Sequence, residues 1–427
     1  VRLPETGAFF YYIYTQGNNF CVVSGNHLTK MKIITTLILL ALWVPVACLA
    51  QGGDITYPTE PPVVLPDDVF YEIPFDYTGQ IMLKVAIGGK AYNFAFDTGG
   101  YNMITDAVKQ ELGLEVLGEK ELGSANGLVK TTNIVFAPLM ALGGLMVNNV
   151  QAYQVNFDQS PIMQCMVNGG FIGSEIIKNY IWQIDYPNRK IIVTQNINNL
   201  PGATEGTKIP VHLNKQNQPY VMVNINGTYQ YMMFDTGCSS LLMLSEQDAG
   251  RYTPSAKGAT LLGGMVETHN GRVRDTLQAF DASIDANGIK LMHKPALYRK
   301  GAKLTLLGNP IIKNYIVTLD FAHGALYLQP IKDAPVTPGW EHFGFTLEYN
   351  GECAVVGALL QNSPAQKAGL LPGDEVTAIN GKKVTCADYC TCRENFNTLL
   401  DATATISLTV LKNGVAKNLS FKKEKIF

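Results

Sequence analysis

Apolar and polar positions alternate along much of this chain. Ile81, Leu83, Val85 and Ile87 are spaced two apart up to a Gly88-Gly89 turn, and Tyr92, Phe94 and Phe96 then resume the alternation into Asp97. Side chains two apart share one face of a strand, so the pattern predicts a hairpin with one buried face that ends at an aspartate. The same design recurs later. Val221, Val223 and Ile225 run to Asn226-Gly227, a dipeptide suited to a type I′ turn, and Met232 and Phe234 lead into Asp235. With 40 Gly and 21 Pro to turn short strands, the expected structure is mainly β.

The two hairpins belong to a longer repeat. Ile176-Ile-Lys-Asn-Tyr-Ile181 recurs as Ile311-Ile-Lys-Asn-Tyr-Ile316, displaced by 135 residues, and Asp97-Thr98-Gly99 recurs as Asp235-Thr236-Gly237, displaced by 138. Upstream of the first match, Phe171-Ile172-Gly173 pairs with Leu306-Leu307-Gly308; downstream, hairpins are expected to turn at Pro187-Asn188 and His323-Gly324. Two copies of one unit of roughly 130 residues are implied. They are placed at 69–200 and 201–335.

The chain has 427 residues, more than one hydrophobic core usually supports, and its 47% apolar and 16% charged content excludes a largely disordered chain. A net charge of −2 without a basic run argues against a nucleic-acid partner. Near the start, Met31-Lys32 opens an apolar run from Ile33 to Val44, followed by Pro45 and small residues. That is the layout of a secretory signal over 31–50, cleaved after Ala50, with Met31 as the expected start and residues 1–30 as an upstream extension. The run is barely long enough to span a bilayer and is broken by Pro45, so no membrane span is expected once it is removed. Cys48 partly suits lipid attachment as an alternative. A periplasmic or secreted location follows, with 51–68 as a linker.

Disulfides are permitted in such a compartment. Cys386, Cys390 and Cys392 crowd one stretch and Cys353 is the nearest remaining partner, although the connectivity is not readable. Metal binding is the alternative, disfavoured because no His falls in the cluster. Elsewhere His212, His269, His293, His323 and His342 lack metal-ligand spacing, and no phosphate loop or Gly-x-Ser-x-Gly occurs, so no cofactor is expected.

An isolated Asp-Thr-Gly is an ordinary turn, but this one occurs twice, at equivalent points of a repeat, after an apolar strand each time. If the copies pack about a pseudo-twofold axis, the two carboxylates meet and share a proton. The ionised member then accepts a proton from water while the other donates to a peptide carbonyl oxygen. These residues resemble the pepsin and retropepsin family of aspartic proteases over roughly 69 to 335. The resemblance implies a bilobal fold with Asp97 and Asp235 as catalytic residues, a protein or peptide substrate, and a monomer, because one chain holds both halves. It further implies that Thr98 and Thr236 hydrogen-bond across the lobes, that Gly99 and Gly237 admit the backbone beside the carboxylates, and that Gly173 and Gly308 pack next to those loops. Where the family usually has Ser, Thr or Ala, this chain has Gly100 and Cys238. Without those hydroxyls the dyad is expected to work at milder acidity, or the chain to be a weakly catalytic peptide binder. Two Asn-Gly hairpin tips, Asn126-Gly127 and Asn270-Gly271, are candidate flaps.

The repeat stops near Pro335. Beyond it, Asn362-Ser-Pro-Ala-Gln-Lys-Ala-Gly-Leu-Leu-Pro-Gly-Asp-Glu-Val376 and Ala378-Ile-Asn-Gly-Lys-Lys-Val384 resemble a PDZ domain, placed at 338–427. The resemblance implies a small α+β module whose Phe343-Gly344-Phe345 loop presents backbone N–H groups to a peptide carboxylate. His342 stands where that family commonly has Gly.

Overall fold

The computed structural model describes residues 63–252, 258–334 and 339–427, and separately an antiparallel pair, Thr15–Gln16 with Asn19–Phe20. The expected signal segment at 31–50 with Cys48, the linker up to residue 62, and the junction at 335–338 lie outside the described residues.

Each repeat forms a β lobe. In the first, the strands Phe70–Tyr77, Ile81–Ile87 and Lys90–Phe96 form an antiparallel meander, and its alternating residues Leu83, Val85, Ile87, Phe94 and Phe96 are almost wholly buried. Burying each such side chain contributes about 1.5–3 kcal/mol. In the second, Pro219–Ile225 and Thr228–Asp235 repeat the hairpin over Val221, Val223, Ile225, Met232 and Phe234.

The lobes are joined by a six-stranded antiparallel sheet. Its order is Phe70–Tyr77, Lys190–Thr194, Ile181–Asp185, Tyr315–Asp320, Ala325–Pro330 and Thr207–Leu213. At its centre Gln183 lies opposite Thr318, and the Gln183 side-chain amide donates to Thr318 Oγ1 at 3.2 Å. These positions differ by the 135 residues of the repeat, so equivalent residues pair with each other and the pseudo-twofold axis passes between them.

The C-terminal module contains the strands Phe345–Tyr349, Ala354–Leu360, Glu375–Ile379, Thr405–Lys412 and Val415–Lys422 and the helices Pro364–Lys367 and Tyr389–Ala402. Ser363 caps the first helix by accepting from the Gln366 N–H, and Asp388 caps the second by accepting from the Thr391 N–H. Phe345, Val356, Leu370, Phe396, Leu408 and Val410 form a core distinct from that of the lobes.

This module is stitched to both lobes. The strand Gly258–Thr268 of the second lobe pairs with Ala354–Leu360 through Leu261 opposite Leu360 and Leu262 opposite Leu359. Arg274 forms an ion pair with Glu348 and donates to the Gly263 and Gly357 carbonyls. The cysteine pairing corrects the expectation built on Cys353. Cys386 bonds to Cys392, Cys390 bonds to Cys165 of the first lobe, and Cys353 is a free thiol. Nearness in sequence misled because Cys390 lies on the first turn of its helix, on the side packed against the helix Pro161–Met166, whereas Cys353 sits in the turn before Ala354. Converting Cys165 to Ser removes a cross-link between residues 225 apart. The expected loss is about 2–4 kcal/mol. Urea unfolding of this variant should then show a lower midpoint than that of the parent chain.

Candidate active site

Asp97 follows the strand Lys90–Phe96, and its N–H donates to the Ile172 carbonyl at 2.9 Å; the next lobe ends the strand Thr228–Asp235 with Asp235 in register with Gly308. Each aspartate is thus delivered at the end of a strand flanked by a second, parallel one. Gly173 and Gly308 lie beside these loops, where a Cβ would strike the Tyr101 backbone in one case and the Cys238 and Ser240 carbonyls in the other.

The two carboxyl groups meet at the floor of a cleft, each seated against the other lobe's aspartate loop. The Gly99 N–H donates to Asp97 Oδ1 at 3.0 Å, and the Gly237 N–H donates to Asp235 Oδ1 at 2.8 Å. A Cβ on Gly99 would come within 2.6 Å of Asp235 Cγ, and one on Gly237 within 2.5 Å of Asp97 Cγ, so each glycine admits the opposite carboxyl. Burial pushes both carboxyls above the ordinary aspartate range, and Asp235 further through the neighbouring charge of Asp97. Two such coupled carboxyls release their protons in two separate steps, with a singly protonated pair between them.

Beneath the dyad, Thr98 and Thr236 are fully buried and tie the lobes reciprocally. Thr98 N–H donates to Thr236 Oγ1 at 2.9 Å and Thr236 N–H to Thr98 Oγ1 at 3.0 Å, while the two hydroxyls donate to the Phe234 and Phe96 carbonyls at 2.6 and 2.8 Å. Two braces were not read from the sequence. Gln80 donates to the Gly237 carbonyl at 2.8 Å and Gln218 to the Gly99 carbonyl at 2.5 Å, each supporting the other lobe's aspartate loop. They too are 138 residues apart, so the repeat offset was a usable signal.

Gly100 and Cys238 leave the carboxyls with backbone donors only. The Cys238 thiol turns away and donates to the Ser240 carbonyl at 3.3 Å. Burial raises its pKa strongly, which keeps it a thiol rather than a reactive thiolate.

Both Asn-Gly hairpins cover the cleft, and their asparagines are buried rather than exposed turn tips. Asn126 donates to the Gly271 carbonyl at 2.8 Å, and Asn270 donates to the Leu122 and Leu128 carbonyls at 2.9 and 3.1 Å. The tips are therefore fastened to each other. Arg299 supports the first through the Asn126 carbonyl, and the Ser160 hydroxyl supports the second through the Thr268 carbonyl at 2.8 Å. The enclosed space is about 670 Å³, walled by Met163, Met166, Phe171, Met243, Leu297 and Leu306 among others.

In the C-terminal module, Phe343 and Phe345 are buried in the core, and the Gly344 N–H already donates to His342 Nδ1 at 2.9 Å. Burial lowers the His342 pKa to about 4, so near neutrality the ring is uncharged and can accept that bond. One N–H expected to face a peptide carboxylate is thus engaged internally.

Comparison with known proteins matches residues 83–176 to the aspartyl protease family model and residues 355–390 to the PDZ domain model. No curated protein sequence matches the chain. A solved aspartic proteinase from Irpex lacteus is similar at 10% identity and a TM-score of 0.42, over 63% of this chain and 99% of that one. The chain is thus mainly β, with two repeated lobes, the first of which carries the aspartyl protease match, and a C-terminal module that carries the PDZ match.

Proposed function

We propose that the chain is an aspartic endopeptidase. The observation that carries this reading is the pair of facing carboxyls, Asp97 and Asp235, on the floor of a cleft roofed by two fastened hairpins. A peptide entering beneath the hairpins places its carbonyl over the dyad. The ionised carboxylate takes a proton from a water molecule as that water attacks the carbonyl carbon, and the protonated partner donates to the carbonyl oxygen. The resulting gem-diol collapses as the protonated carboxyl gives its proton to the departing nitrogen while the other carboxylate takes a proton from one diol hydroxyl; the C–N bond breaks, a product carboxylic acid forms, and the dyad is left with the single proton it started with. Apolar walls favour peptides with large apolar residues beside the scissile bond.

Catalysis needs one charged and one neutral carboxyl, so activity falls above the upper pKa of the dyad and below the lower one. Desolvation and the missing hydroxyl donors raise both limits, which places the optimum at milder acidity than in a hydroxyl-braced dyad. A Cys238→Ser exchange offers a hydroxyl near Asp235, favours the charged form, and is expected to move both limbs of the kcat/KM profile toward lower pH. A profile identical to that of the parent chain would show that the hydroxyl does not reach the dyad.

One chain supplies both aspartates, which supports action as a monomer. The two disulfides suit an oxidising, extracytoplasmic compartment. The PDZ domain is proposed to hold a peptide or partner beside the strand Phe345–Tyr349. Among the described residues no helix is long and apolar enough to cross a membrane.

A denatured protein mixture incubated with residues 51–427 across pH 3 to 8 tests the proposal. New internal cleavage sites with apolar flanks are expected. Binding of peptides without cleavage at any pH would favour the second reading, a peptide binder, for which the lack of hydroxyl donors at Gly100 and Cys238 is the supporting observation.

A further inference from the structure

The cleft is not built by the two lobes alone. Arg393, on the PDZ helix Tyr389–Ala402, lines it together with Ile162, Met163, Met166 and Glu267. Cys390 lies three residues before Arg393, on the same helical face, and its disulfide to Cys165 fastens that face to the helix Pro161–Met166. The cross-link therefore holds Arg393 at the cleft.

Arg393 is half-buried and, among the described residues, its guanidinium makes no hydrogen bond or ion pair. None of its nitrogens is among the buried unpaired atoms, so its donors are open to an acceptor carried by a molecule in the cleft. Glu267 is the carboxyl nearby, but its Oε1 accepts the Met163 N–H at 3.0 Å and it lies outside ion-pair reach of Arg393. Glu348, the other carboxyl acting on Tyr389 of this helix, is taken up by its ion pair with Arg274, so neither neighbouring carboxylate closes on Arg393. The other cation in the lining, Lys303, is exposed and belongs to the second lobe.

We infer that the PDZ domain completes one end of the cleft and that Arg393 selects peptides carrying a carboxylate side chain at the residue that reaches it. This rests on the cleft taking peptides, as proposed above. Apolar residues fill the walls over the dyad, and a Glu or Asp further along the peptide supplies the planar acceptor that the guanidinium lacks. Arg393 is a specificity residue and has no part in the bond-breaking step.

The test uses the full chain from Gln51 and short peptides acetylated at one end and amidated at the other, so that no terminal carboxylate engages the PDZ loop. A single Glu, Gln or Lys is walked through every position. The readout is the ratio of kcat/KM for the Glu peptide to that for the Lys peptide. At one position this ratio is expected to reach about tenfold or more in the parent chain. It should invert in Arg393→Glu and persist in weakened form in Arg393→Lys, while Lys303→Glu should leave that position's ratio in place. The same series is measured as binding, by fluorescence anisotropy, to the Asp235→Asn chain. Ratios that stay the same in Arg393→Glu, in cleavage and in binding, overturn the assignment. Cleavage without charge reversal sinks the role of Arg393 and keeps the endopeptidase, whereas reversal in binding without any cleavage keeps Arg393 and sinks the endopeptidase. No cleavage and no binding of any peptide overturns both.

Discussion

Replacing Asp97 or Asp235 with asparagine is expected to lower peptide cleavage by about 10³-fold or more while making the folded chain more stable near neutral pH. The loss follows because an amide can neither take a proton from water nor pass one on to the carbonyl oxygen. The gain follows from linkage. Both carboxyls have folded pKa values raised above their unfolded ones, so folding favours their protonated forms. Their contribution to stability is fully present below the unfolded pKa and is lost as pH rises through the folded values. An asparagine carries no charge to desolvate and escapes that loss. Thermal unfolding at pH 7 should therefore show a higher Tm for Asp235→Asn than for the parent, with the difference shrinking toward pH 4. A lower Tm at both pH values would mean that misfolding, rather than lost chemistry, explains the inactivity.

The second large effect concerns the floor of the cleft. Thr98→Val keeps the shape of the side chain but removes the donor to the Phe234 carbonyl and the acceptor for the Thr236 N–H, both buried between the lobes. Leaving two such groups unsatisfied costs about 2–5 kcal/mol. Thr98→Ser retains both bonds and should lose far less. Urea unfolding of the two variants separates these outcomes; equal midpoints would mean that the reciprocal bonds contribute little to holding the lobes together.

The sequence carried more of the lobes than of their roof. Period-two runs such as Ile81 to Ile87 report a buried strand face directly, because alternation is local, and the 138-residue offset of the two Asp-Thr-Gly sites reports symmetry. Gln80 and Gln218 obey the same offset but have no motif of their own, and a glutamine alone does not announce which backbone carbonyl it will reach. Asn126 and Asn270 were legible as hairpin positions. Their burial was not, because it arises only when the two hairpins meet, and nothing local distinguishes a tip exposed to water from one capped by its twin. The link from Cys165 to Cys390 was hidden for a related reason. Its partners are 225 residues apart in different modules, and local spacing pointed to Cys353 instead. Arg393 was hidden with it, since the helix that carries it is brought to the cleft by contacts between modules that no local pattern announces.

The hairpins are fastened to each other through Asn126 and Asn270, and the strand Ala354–Leu360 pairs with the second of them. Asn126 makes one such bond to a carbonyl and Asn270 two, each individually worth about 0.5–1.5 kcal/mol, so the roof rests on a few modest contacts.

The measurement that tests the central claim most directly is a single turnover of a peptide with apolar residues at the scissile bond, in ¹⁸O-labelled water at the pH optimum, with the Asp97→Asn chain alongside. Attack by dyad-activated water predicts a product carboxyl carrying one ¹⁸O, no peptide left attached to the protein, and almost no product from Asp97→Asn. Product formed equally by that variant, or none from the parent chain at any pH, would contradict it.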